Sequence, residues 1–126
     1  METTKGAQDT ETSAQVKSLL QRAVRLDPGL GPAYLQLGIL YSEQNDLTKA
    51  IAAYEKAIEV NPQLEAAHYR LAQAYRQAGD KLKAQQESQR FEQLSKQAAQ
   101  QTDHERREIQ QFVYTLQGRA STTQPQ

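Results

Sequence analysis

The stretch YLQLGILY, residues 34–41, decides the fold. Tyr34, Leu37, Leu40 and Tyr41 recur at spacings of three and four, so they share one face of a helix. Gly38 stands in the middle of that run. A glycine inside a helix costs about 1 kcal/mol against alanine. Something must offset that cost, and the close approach of a second helix would do so. Overpacking then makes Gly38→Leu destabilising, whereas Gly38→Ala should be mild.

Working outward, the chain lands on itself when slid by 34 residues. Leu26-Asp27-Pro28 falls on Val60-Asn61-Pro62, and Leu30 on Leu64. Ala33 meets Ala67, Leu37 meets Leu71, Gly38 meets Ala72 and Tyr41 meets Tyr75. Asn45-Asp46 meets Gly79-Asp80, and Lys49-Ala50 meets Lys83-Ala84. The punctuation is physical. Asn45 and Gly79 tolerate the left-handed backbone that ends a helix. Asp46 and Asp80 follow as N-caps that accept from free amides of the next helix. Pro28 and Pro62 cannot continue the helices before them. Ala50, Ala53, Tyr54 and Ala57 form a second apolar stripe. These signals place helices at 14–26, 31–44, 47–60, 65–78 and 81–99.

The spacing of Tyr34, Leu37, Gly38, Tyr41, Ala50, Tyr54, Ala57 and Pro62 resembles the tetratricopeptide repeat. Residues 31–64 resemble a complete repeat, 13–30 the second half of a preceding one, and 65–98 a drifted one. In the drifted repeat His68 and Ser88 stand where large aromatics are expected, Phe91 replaces an alanine and Lys96 replaces the proline. The resemblance implies an all-α fold, a right-handed α-solenoid of antiparallel helix pairs, followed here by an extra C-terminal helix. It also implies a protein–protein interaction module that binds a peptide or helix on its concave face. The inner-face positions are Leu35, Ile39, Ser42, Glu43, Tyr69, Gln73, Arg76 and Gln77. Leu35, Ile39 and Tyr69 would make an apolar strip, with Glu43 and Arg76 at its edges. The competing reading is that Leu35 and Ile39 simply contact neighbouring helices. Carboxylate-gripping repeats carry Lys and Asn on this face. Leu35 and Ile39 favour an amphipathic helix or apolar peptide instead.

After the repeats, Thr102 and Glu105 have capping-box spacing, which predicts a separate helix over 103–117. Ile109, Phe112, Val113 and Leu116 give it one apolar stripe. Burying four such side chains is worth roughly 6–10 kcal/mol before entropy costs. The helix could cap the solenoid, pair with or swap onto a second chain as an assembly element, or occupy the groove in cis. A homodimer through 104–117 is the structural alternative to the binding module. Residues 1–12 and 118–126 are rich in Thr, Ser and Gln without apolar periodicity, which predicts disordered tails.

Composition sets the outer limits. Fifteen basic residues balance fifteen acidic ones, which argues against a nucleic-acid partner. There is no cysteine, hence no disulfide and no thiolate metal site. No apolar run reaches membrane-spanning length and the first residues are not a secretory signal, so a cytoplasmic location is the default expectation. His104-Glu105 begins like a zinc-protease helix, but no histidine stands four residues after His104. His68 reads as a packed histidine rather than a base or ligand. No enzymatic activity, metal or cofactor is expected.

Overall fold

The computed structural model describes the backbone of residues 2–123 and the side chains of residues 11–119. It contains five helices: α1 (Glu2–Leu26), α2 (Gly31–Glu43), α3 (Leu47–Val60), α4 (Glu65–Ala78) and α5 (Lys81–Thr123). All regular structure among the described residues is helical. Two compact units divide the chain, one ending at Glu92 and one beginning at Gln93.

In the first unit α1 packs on α2, α2 on α3, and α3 on α4. The turns form as their residues dictate. Asn45 has φ 61° and Gly79 φ 83°, and each is followed by its capping aspartate. The Asp46 carboxylate accepts from the Lys49 amide at 3.2 Å, and that of Asp80 from the Lys83 amide at 3.1 Å. The proline turns also match. Asp27 accepts from the Gly29 amide at 3.1 Å, and Asn61 from the Gln63 amide at 3.2 Å. Short polar side chains thus bond to the backbone two residues on, which fixes each turn locally.

The core joins Leu35, Ala50, Tyr54 and Ala57 of the first pair to Ala67, Leu71, Ala74, Tyr75 and Ala84 of the second. Alanines at 50, 57 and 67 are fully buried and let helices approach closely. Burial is the main cause holding the Tyr54 phenol above its ordinary pKa. Tyr75 is raised further by burial and by Glu55, whose carboxylate accepts from the Tyr75 hydroxyl at 2.7 Å.

Gly38 shows why the register is fixed. A Cβ built there would lie 2.5 Å from Cδ1 of Tyr54, a ring only 2% exposed. Real Cβ atoms do not come that close, and a buried ring has little room to yield. The expectation that Gly38→Ala is mild is therefore corrected. At this position alanine already collides.

Three boundary expectations change. The backbone is helical from Glu2, across most of the expected 1–12 tail, and again over 118–123. Residues 1 and 124–126 of those tails lie outside the described residues. The break expected between the 81–99 and 103–117 helices is not there, because α5 runs unbroken from Lys81 to Thr123. Thr102 does not cap a helix start. Its hydroxyl donates to the Ala98 carbonyl at 3.0 Å, a bond made inside a helix. Gln101 and Glu105 pair across one turn at 2.9 Å, which suits an exposed helical surface.

Candidate functional site

The 34-residue shift becomes a comparison of two edges. Each helix pair offers an edge to whatever stacks next. In the first pair that edge is Leu35, Gly38, Tyr54 and Ala57, all buried. Leu35, Tyr54 and Ala57 share the core with α4, which covers them. The equivalent positions of the second pair are Tyr69, Ala72, Ser88 and Phe91. No further helix of the same unit follows them, and Tyr69 remains 45% exposed.

This explains the fate of the inner-face residues. Leu35 is only 7% exposed and belongs to the core, which removes it from the apolar strip. Ile39 is half-buried against that core, Ser42 and Gln73 are half-buried, and Glu43, Tyr69, Arg76 and Gln77 are exposed. Ser42 and Gln77 line one small cleft with Asn45 and Leu47. Tyr69 and Arg76 line another.

A better-defined site lies along the open edge. Tyr69, Ala72 and Arg76 of α4 face Ser88, Phe91 and Glu92 of α5 across a groove of about 190 Å³. It adjoins a second hollow of about 520 Å³ lined by Arg76, Lys81, Ala84, Gln85 and Ser88. The Tyr69 and Phe91 rings meet at 5.3 Å with a 51° tilt, a favourable aromatic geometry. Gln73 donates to the Tyr69 hydroxyl at 3.1 Å, and Arg76 donates to the Ser88 hydroxyl at 2.7 Å. Of these groove residues Tyr69 and Arg76 stood at expected inner-face positions. The signal for the rest was present in Ser88 and Phe91, two departures from the repeat that are paired in space.

The relief of the open edge is the reverse of the covered one. The bulky Tyr54 becomes the small Ser88, and the small Ala57 becomes the bulky Phe91. Ala72 replaces Gly38 where the tyrosine ring has gone, so its methyl meets no such ring. Bulk lost at one position is thus regained one turn away on the same helix.

Among the described residues His68 is the one buried polar side chain. Its Nε2 lies 2.9 Å from the Pro62 carbonyl and its Nδ1 2.6 Å from a Glu87 carboxylate oxygen. The carbonyl can only accept, so Nε2 carries a proton and donates. The second ring nitrogen is hydrogen-bonded to the Glu87 carboxylate. The ring thus ties the proline turn to α5, a structural role. His104 is exposed and pairs with Glu108 at 3.2 Å within its own helix. Among the described residues no three His, Cys, Asp or Glu side chains gather to hold a metal ion. No helix of the described residues is long and apolar enough to cross a membrane.

Family comparison settles what this stack is. Tetratricopeptide-repeat models match residues 31–64 and 53–86. Residues 31–86 are tetratricopeptide repeats. The second match ends just before Ser88 and Phe91, where the relief of the edge reverses. A comparison with curated proteins finds no match. Among solved structures the fold resembles MamA. One crystal structure of MamA is 27% identical with a TM-score of 0.68, covering 72% of this chain and 53% of its own. Another is 30% identical with a TM-score of 0.59, covering 67% and 46%. A MamA fragment from Desulfovibrio magneticus RS-1 is 22% identical with a TM-score of 0.64, covering 71% and 50%. The chain thus spans about half the length of the solved proteins it matches. Tetratricopeptide repeats and these neighbours support a protein-interaction scaffold.

Proposed function

We propose that the chain is a binding scaffold without chemistry of its own, and that it takes an amphipathic helix or apolar peptide of a partner protein along its second repeat. One observation carries the reading: the Tyr69–Phe91 aromatic pair is half exposed at the head of a groove whose counterpart in the first repeat is filled by a helix. Exposed aromatics flanked by adaptable polar groups are typical anchors for a protein partner. Arg76 and Glu92 supply that polar border in the groove itself, and Gln73 holds the Tyr69 hydroxyl beside it.

The test is a screen of helical peptides against the intact chain, repeated with Tyr69→Ala and with Ile39→Asp. Amphipathic peptides should be selected, and Tyr69→Ala should abolish capture while far-UV circular dichroism stays unchanged. Capture indifferent to both substitutions would refute the proposed face.

A further inference from the structure

Among the uncovered apolar surfaces of the described residues, two have opposite shapes. One is the groove between α4 and the first turns of α5. The other is the stripe of Ile109, Phe112, Val113 and Leu116, whose members are between 46% and 64% exposed. We infer that the groove of one copy receives the 105–116 segment of a second copy, in the place where a third repeat would set its first helix. The inference rests on the scaffold reading and names its occupant.

Three matches carry it. The first is size. Ala72, Ala84 and Ser88 leave a hollow where the first repeat has Tyr54 standing against its neighbour. A covering helix with small alanines, such as α4 presents to the first edge, would leave that hollow unfilled. Phe112 and Leu116 are bulky enough to fill it. The second is charge. Arg76 and Lys81 stand at one end of the groove and the Tyr69–Phe91 pair at the other. In the stripe, Glu105 and Glu108 precede Ile109 and Phe112 by four residues each, so the apolar row runs into two carboxylates one turn away. Acid set against Arg76 and Lys81 places the apolar row against the rings. The present partners of these carboxylates, Gln101 and His104, are exposed surface contacts that exchange at little cost. The third is length. Lys81 to Phe91 along α5 covers about 15 Å, and Glu105 to Leu116 about 16 Å, at the helical rise per residue.

Because groove and stripe are different surfaces, the contact is heterologous unless two copies exchange stripes about a two-fold axis. The absence of cysteine makes the test clean. The full-length chain carrying Ser88→Cys is mixed with the full-length chain carrying Phe112→Cys and oxidised, and crosslinked species are separated. Solution mass is measured in parallel by light scattering. We expect a Ser88–Phe112 crosslink, an assembled native chain, and a monomer on Phe112→Asp with Val113→Asp, both exposed positions. Arg76→Glu should weaken assembly about tenfold, and adding Glu105→Arg and Glu108→Arg should restore it. A monomeric native chain, or crosslinks only between two copies of Phe112→Cys, would overturn the inference. If the native chain is monomeric yet still captures peptides through Tyr69, self-docking fails and the scaffold reading stands. If Tyr69→Ala changes neither, both fall.

Discussion

The two edges of the repeat stack use matching backbone to opposite ends. Both are built from the first helix of a pair and the helix after it, with the same left-handed turn and the same aspartate cap between them. Even the flanking lysines correspond. Lys49 lies 5.8 Å from the Tyr41 ring and Lys83 5.6 Å from that of Tyr75. Yet the first edge is wholly core, whereas the second leaves Tyr69 exposed and Ser88 and Phe91 half-buried beside a buried Ala72. Local sequence builds the pair, whereas a handful of side chains decides what the pair will accept.

Substitutions at corresponding positions break or sharpen this contrast. The largest difference should come from truncating the leading side chain of each edge. Leu35→Ala should cost about 2–5 kcal/mol in chemical denaturation, as buried leucines do. Tyr69→Ala should cost less than about 1 kcal/mol, since its ring is half in water. Equal losses would mean that the second edge is also core. Next, Gly38→Leu should cost about 3 kcal/mol through collision with Tyr54, whereas Ala72→Leu has an adjoining groove to enter and should cost under about 1 kcal/mol. Smaller still is Gly38→Ala, at about 1–3 kcal/mol. That penalty should vanish in a Tyr54→Ser background, which copies the second edge onto the first, and a double-mutant cycle measures the coupling. No coupling would mean that Tyr54 is not the obstacle. The two caps are the control: Asp46→Ala and Asp80→Ala should each cost about 1 kcal/mol, because that feature is the same in both pairs.

At neutral pH the buried tyrosines contribute no pH dependence at all. Their phenols are held above the usual value, so the folded state keeps its protons after the unfolded chain begins to lose them. Stability is therefore intact below about pH 10 and falls as pH rises above it. Absorbance near the phenolate band should show Tyr54 and Tyr75 titrating only as the helices melt. Titration of all six tyrosines near pH 10 in a folded chain would contradict their burial.

How much of this was legible follows from where the information sits. The bounds of α3 and α4 agree with the sequence reading, and α2 differs by one residue, because caps, left-handed turns and prolines act locally. The burial of Leu35 was not legible in the same way. Periodicity assigns a residue to a face, but whether another helix covers that face depends on tertiary stacking. The unbroken course of α5 escaped for a different reason. Residues 100–102 have no apolar stripe to join the two helices read on either side, and a run of polar residues bonded along its own surface needs none. The groove was half legible. Ser88 and Phe91 were visible as departures, and only their proximity to Ala72 and Tyr69 made them a matched set.

That reversed relief also gives the array a grammar of succession. A stack of identical repeats has no internal reason to stop, since every end would welcome another copy of itself. Here the second pair has exchanged the profile that would accept a copy of residues 65–78 for one that would clash with it at Phe91 and leave a void at Ser88. A third repeat grafted after the second would have to be cut to a new key.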